Sequence, residues 1–528
     1  MTSHLVNANR TVRGAEALYL LLGLLWVLSP AQAQGKQTER PNIVFLFSDD
    51  HAVQAISAYG SGLNQTPAID RIAKDGVLFT QSFCGNSICA PSRATVLTGL
   101  HTHKNGQRTN KTSFDGTQRT FPKLLQAAGY QTALIGKWHL KSDPTGFDHW
   151  EVLEGQGNYY NPVFRTTKGK KRIEGYATDL ITDKSLAWLD ARDPEKPFLL
   201  MCQHKAPHRT WAPAPRHLHL FEDKTFPEPL TLFDKLEHRS ALLAKNEMSI
   251  RDYFYWDYDL KVRNSGLPNP FDRKLTSPEY RRMNEAQRKL WDAAYGPRNR
   301  AFLEHVPKGD DLVRWKYQRY IKDYLRTITA VDESVGRVLG YLDEKGLASN
   351  TIVVYSSDQG FYLGEHGWYD KRWMFEESLR MPLLMRWPGH IRKSTKVDRL
   401  VQNIDYAPTF LQAAGVPIPE DMHGESLLPL VGIASKQQID WRQAIYYCYY
   451  EEGEHNVPRH EGARTARYKL FYIPKTREWQ LFDLKEDPHE LRSIHADPAY
   501  AGVLARMRKT LEGLRKRYDA RPWPLPRD

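Results

Sequence analysis

The chain has 528 residues, 41% of them hydrophobic and 26% charged, which excludes a disordered protein and allows more than one domain around a large core. Its formal net charge is +12, a balance that suits polyanions such as sulfated glycans but does not by itself require an acidic partner. No nucleic-acid motif, internal repeat or low-complexity segment is present, and four cysteines (Cys84, Cys89, Cys202, Cys448) are too few for a disulfide scaffold.

In chain order, the first element is a leader. Arg10 and Arg13 precede the apolar run ALYLLLGLLWVL, and AQA at 31–33 follows. Charged, apolar and small-residue regions in that order read as a signal peptide over 1–33. The run is short for a bilayer span, an uncleaved anchor being the alternative reading, and no later stretch is apolar enough to span one. The mature chain, at +11 after loss of two Arg and one Glu, is expected to be periplasmic or secreted.

Four apolar runs then read as strands buried on both faces: NIVFLF (42–47), QTALIG (131–136), PFLLMCQ (197–203) and TIVVYSS (351–357). Between the first two, Pro91 and Gly99 bracket a short helix in SRATVLTGL. A longer helix lies over 320–346, its apolar positions at helical spacing and Gly346 at its end. Residues 209–315, rich in Arg, Trp, Tyr and Pro, read as an insertion on the substrate side. A boundary is expected near 431–440, followed by three short strands and a final helix. The expected fold is α/β. It has a large mixed, mostly parallel sheet sandwiched by helices over 34–435 and a smaller domain of antiparallel sheet plus helix over 436–528.

Each of the four runs ends in chemistry-bearing residues: Asp49-Asp50-His51, Lys137-Trp138-His139, His204 to His208, and Asp358-Gln359. Functional groups of open α/β sheets gather beyond the carboxyl ends of the strands. Asp49, Asp50, Asp358 and Gln359 are hard oxygen donors suited to Ca²⁺ or Mg²⁺, with helix capping as the plainer reading. Cys89 falls at the start of the short helix, one turn before Arg93. That place favours anions and is expected to lower a thiol pKa. A Cys84–Cys89 disulfide or a small core residue are the competing readings.

The run Cys89-Ala90-Pro91-Ser92-Arg93-Ala94-Thr95-Val96-Leu97-Thr98-Gly99 fits C-x-P-S-R-x-x-x-L-T-G and so resembles type I sulfatases, within the alkaline-phosphatase-like superfamily. GYQTALIGKWH (129–139) resembles a second signature of that family, and the resemblance extends from about Arg40 to LFDLKEDPHEL near the C-terminus. It implies that a formylglycine-generating maturation enzyme converts Cys89 to formylglycine, whose hydrated aldehyde attacks sulfur and later expels inorganic sulfate. It implies one Ca²⁺, or less readily Mg²⁺, on Asp49, Asp50, Asp358 and Gln359, where Gln359 replaces the commoner Asn. Arg93 would stabilise the nucleophile, Lys137 and Lys371 would grip sulfate oxygens, His139 would act as base and His208 as general acid, with His204 as runner-up.

QHKAPHRTW (203–211) and EHNVPRHEGARTARYKLF (454–471) resemble carbohydrate sulfatases acting on 6-sulfated N-acetylglucosamine. In that reading His204, His455, His460 and Arg464 contact the sugar and the enzyme acts on a chain end. The alternatives are a sulfatase for another sugar, a phosphatase or phosphodiesterase of the same superfamily, and an exported glycan-binding protein with unconverted Cys89.

Overall fold

A strand with no polar face must lie at the centre of a covered sheet, and the apolar runs do so. The computed structural model describes residues 40–432 and 439–521. Its main sheet contains β1 (Asn42–Ser48), β2 (Val77–Phe79), β3 (Gln131–Gly136), β4 (His149–Leu153) and β5 (Val163–Thr166). It continues with β6 (Gly169–Arg172), β7 (Phe198–Gln203), β8 (Thr351–Ser357), β9 (Leu383–Arg386) and β10 (Thr395–Val397). The strand order is β10-β2-β9-β8-β1-β7-β3-β4-β5-β6. The central run β8-β1-β7-β3-β4 is parallel throughout, and β9, β5 and β6 run antiparallel to their neighbours. At one edge β6 reads GKKR and is exposed along its length; lysines and an arginine on an open edge discourage further strand addition.

Alternation along the strands sorts the side chains between two cores. Ile43, Phe45 and Phe47 of β1 face one core with the helix α1 (Cys89–Thr98). Val44 and Leu46 face the other, where α2 (Ala177–Ala191) and the second half of α4 (Gly309–Glu344) cover the sheet. Between them in sequence, α3 (Glu285–Glu304) packs Trp291 and Tyr295 into the same second core. The long helix starts earlier than its apolar pattern suggests, with Asp310 and Asp311 in its first turn, where acidic groups stabilise a helix N-terminus. The insertion that begins at 209 therefore ends in helix, and its Trp211, Phe254 and Trp256 pack against Tyr317, Tyr320 and Tyr324 of α4.

The C-terminal sheet runs β11 (Ala444–Tyr449), β12 (His460–Thr465), β13 (Tyr468–Ile473), β14 (Glu478–Asp483), all antiparallel. One face joins the core beneath α1 through Tyr447, Phe471 and Phe482. The final helix α5 (Ala501–Arg517) covers the other with Met507 and Leu511. The large mixed sheet and the smaller antiparallel one agree with the expected fold class. Strand β12 was not expected; its polar sequence HEGART reads as a loop. The leader over 1–33 lies outside the described residues, as do positions 433–438 of the expected boundary. No helix among the described residues is long and apolar enough to cross a membrane.

Candidate active site

Strands β1 and β8 pair in register to their last residues, Ser48 and Ser357, so Asp49-Asp50 and Asp358-Gln359 leave the sheet side by side. The backbone keeps them together: Asp358 N–H donates to Ser48 O at 3.3 Å, and Asp50 N–H to Asp358 Oδ1 at 3.1 Å. Asp50 has φ 64°, in the left-handed region that aspartate tolerates better than most residues. At the end of β3, Gly136 has φ 109°, and a Cβ there would meet Gln203 O at 1.9 Å. Only glycine allows the close approach in which Lys137 N–H reaches Gln203 O at 2.8 Å.

Carboxylate oxygens of Asp49, Asp50 and Asp358 lie within 4.8 Å of one another, and all three residues are fully buried. Such a cluster stands only with positive charge around it. Arg93 reaches Asp358 Oδ2 through Nε and Nη2, both at 3.1 Å, and lies 3.8 Å from Asp49 Oδ1. Lys137 donates to Asp49, and Lys371 donates to both oxygens of Asp50 at 2.7 Å. Burial nevertheless pushes the Asp50 carboxyl up to about 7, against the pull of Lys371 and with Asp358 adding to the rise. Burial holds Lys137 well below the usual lysine range. For Lys371 the carboxylates of Asp370 and Asp50 outweigh burial and raise it.

These residues fit a hard divalent cation. Buried oxygens Asp49 Oδ1 and Gln359 Oε1 have no hydrogen-bond partner, and Gln359 Nε2 turns to Asp50 Oδ1. The donor set is all oxygen, and a separation within 4.8 Å is what ligands about 2.3–2.6 Å from a shared Ca²⁺ require.

Helix α1 starts at Cys89 and ends on Gly99 with φ 67°, the left-handed stop expected there. Pro91 lies in the first turn, where its missing N–H costs no helical bond. One turn on, Arg93 Nη1 donates to Gln203 Oε1 at 2.6 Å and to Lys137 O at 3.0 Å. Ser92 Oγ donates to Asp358 O and accepts from Asn403 Nδ2 at 2.8 Å. The helix is thereby fastened to the ends of β3, β7 and β8. All four cysteines are free, which removes the Cys84–Cys89 disulfide; Cys84 lies instead against Ser87 Oγ at 3.2 Å. The expected low thiol pKa is also corrected. Burial pushes the Cys89 thiol up to about 12, and Lys371 and Arg93 do not overcome burial together with Asp358 and Asp50. The unmodified thiol is therefore a poor nucleophile.

Cys89 Sγ, a carboxylate oxygen of Asp49 and a ring nitrogen of His208 lie within 4.8 Å of one another. His208 Nδ1 faces Arg209 O at 2.7 Å. A carbonyl can only accept, so Nδ1 carries the hydrogen and Nε2 faces the cluster, 3.8 Å from Asp50 Oδ2. His139, with φ 58°, leaves Nδ1 buried without a partner. Burial, then Lys137 and further cations, holds both imidazoles well below their usual range.

Three expected sugar contacts lie elsewhere. His204 is fully buried on the opposite face of the sheet, with Nε2 3.1 Å from Ser334 Oγ on α4. His460 is fully buried among Trp373, Tyr447 and Tyr449. Arg464 is held by Glu376, with Nη2 at 3.1 Å and Nε at 3.3 Å, over the ring of Phe83. All three hold the fold rather than face a cleft. His455 does reach the neighbourhood: its Nε2 is 3.2 Å from Asp370 Oδ2, beside Lys371.

Sequence reading missed Gln203, which holds Arg93, Gln156, whose Oε1 accepts from Lys137 at 2.5 Å, and Asp370. The signal for Asp370 was its place directly before Lys371. Gln203 ends a strand already identified. Gln156 carried no signal.

Comparison with known proteins gives concordant matches. A family model described as Sulfatase matches residues 41–416, and one described as N-sulphoglucosamine sulphohydrolase, C-terminal, matches 364–517. The chain is 47% identical over 509 residues to the N-acetylglucosamine-6-O-sulfatase of Bacteroides thetaiotaomicron, covering 95% of this chain and 91% of the relative. It is 28% identical over 463 residues to the human N-acetylglucosamine-6-sulfatase, covering 83% of this chain and 71% of that one. A solved structure described as in complex with its substrate D-glucosamine-2-N,6-O-disulfate superposes with a TM-score of 0.87 at 46% identity, covering 91% of this chain and 98% of that one.

Proposed function

The chain belongs to the sulfatase family of sulfuric ester hydrolases, and from that premise we propose that it removes the 6-O-sulfate from N-acetylglucosamine at the end of a glycosaminoglycan or mucin-type glycan. The similarity to an N-acetylglucosamine-6-O-sulfatase over 95% of the chain supports the substrate. The observation that carries the chemistry is the meeting of Cys89, Asp49 and His208 beside the buried side chains of Arg93, Lys137 and Lys371.

Converted to formylglycine, position 89 supplies a hydrated aldehyde as nucleophile, and a bound Ca²⁺ supplies charge against the sulfate oxygens. Asp49, Asp50, Asp358 and Gln359 would hold the ion. Arg93, fixed by Gln203 and Asp358, keeps a positive charge at the nucleophile. Lys137 and Lys371 bind sulfate oxygens and offset charge as the S–O bond breaks. His208 Nε2, without a hydrogen in the resting site, takes up a solvent proton beside the anionic sulfate and passes it to the departing sugar oxygen, and His139 takes one from the nucleophile side. Asp370, held by His455 at 3.2 Å and next to Lys371, offers an acceptor to a ring hydroxyl of the sugar whose sulfate Lys371 holds. Such a wall suits a terminal residue. Export by the 1–33 leader and maturation by a formylglycine-generating enzyme complete the reading.

Mass spectrometry of the peptide containing residues 85–106 tests it. Conversion makes the peptide about 18 Da lighter than its cysteine form. Active protein with unmodified Cys89 would sink the mechanism and leave the glycan-binding alternative.

A further inference from the structure

Helix α4 has two working faces. Tyr324 points toward the catalytic centre, its hydroxyl donating to Asp50 O at 2.7 Å. At 100° per residue, Trp315, Arg319, Lys322 and Arg326 form a stripe on the opposite side of a helix roughly 10 Å across. With Gln318, Glu222 and Arg298 of α3 they line a cavity of about 250 Å³, room for an ion with several waters at roughly 30 Å³ each.

The cavity is cationic beyond what its acids neutralise. Glu222 is paired with Arg298, Oε1 with Nε at 2.9 Å and Oε2 with Nη2 at 2.8 Å. Asp323 lies behind the wall, shared between Arg326 at 2.8 Å and Lys261 at 3.2 Å. Among the described residues, Arg319 and Lys322 have no carboxylate within ion-pair distance. Arg319 stacks on Trp315 and Tyr295, and Lys322 donates to the backbone of Glu222 at 2.9 Å. Arg319 is only 8% exposed, and its Nη2 donates to the neutral amide of Asn299. Cationic side chains that converge on one cavity in excess of its carboxylates favour a tetrahedral oxyanion, which accepts from several donors at once.

We propose that this cavity is an oxyanion site, separate from the catalytic centre, that takes sulfate as the free ion or as an ester on a bound glycan. A product anion or a second sulfate of a longer chain has the same tetrahedral chemistry.

The test is a selenate soak of crystals of the mature protein, located by anomalous scattering. A peak inside the cavity, against Arg319 and Lys322, is expected, and it should vanish in Lys322→Gln, which leaves the Arg298–Glu222 pair intact. Selenate at the catalytic centre alone, or undiminished cavity occupancy in K322Q, overturns the proposal. Because the peak needs no turnover, it stands or falls independently of the desulfation reading. Kinetics then separate the sources. For a glycan ester, K322Q raises KM for a sulfated tetrasaccharide up to about tenfold, equivalent to ~1.4 kcal/mol, with monosaccharide kinetics unchanged. For the free ion, both KM values stay the same while calorimetric sulfate affinity at the cavity falls by a similar factor.

Discussion

Gln203 and His204 are neighbours in sequence and point into different cores. Met201 of β7 faces the core beneath α1 and Cys202 faces α4. The same alternation sends Gln203 to Arg93 and His204 to Ser334. Residue type favoured the histidine; the two-residue period, had it been carried past the strand end, favoured the glutamine. The carboxylates, Lys137 and His208 were legible because several adjacent strands each ended in such a group, and Cys89 because it opens the run Cys-Ala-Pro-Ser-Arg at a helix start. Asp358→Asn keeps an oxygen for Asp50 N–H but removes the charge facing Arg93. Turnover is expected to fall at least about 100-fold together with bound calcium measured by plasma emission; near-normal activity would contradict the metal assignment. His208→Ala is expected to slow sugar sulfates by about 100-fold or more and aryl sulfates much less, since a phenolate leaves without a proton. Equal losses on both would remove His208 from the general-acid role.

At the level of elements, Lys371 was readable but its support was not. It sits on a loop anchored by His366, whose Nδ1 is 2.8 Å from Asp234 and whose Nε2 is 3.8 Å from Glu377. Arg239 grips both oxygens of Asp234 at 2.7 Å. The His366–Asp234 contact joins residues 132 positions apart, which no local pattern announces. Burial alone would lower the His366 pKa, but its bond to Asp234 and the nearby charge of Glu377 raise it to about 9. The folded value lies above that of an unfolded histidine. The network therefore contributes its full stability below about pH 6.5 and loses it as pH rises through about 9, a difference of up to about 3 kcal/mol. Denaturation of wild type and His366→Gln across this range is expected to show the gap between them closing toward alkaline pH. A constant gap would mean that His366 is neutral in the fold.

For the whole molecule, sequence located a second sheet but not how far it shares the main core. His460 and Arg464 of HEGART were expected to contact the sugar, whereas β12 lies inside the sheet with His460 stacked on Trp373 at 5.0 Å between ring centres. From Pro41 on, the described residues form one compact unit. We therefore propose that 34–435 and 436–528 are divisions of sequence rather than of stability. A chain ending at residue 432 would expose Trp373, Phe375 and their neighbours, and it is expected to be insoluble or to lack a cooperative melt, while the full mature chain unfolds in one step. An independently folded truncation would show instead that the C-terminal sheet is dispensable to the core.

Cys89 is 1% exposed, at the head of a helix tied to three strand ends. A modifying enzyme cannot reach that thiol in the folded chain. On the proposed reading, conversion and folding are therefore in a race, and conversion must come first. A molecule that folds too early is trapped as an intact but silent copy. The yield of active protein is then set by the ratio of two rates during biogenesis, and supplying the modifying enzyme to purified folded protein recovers nothing.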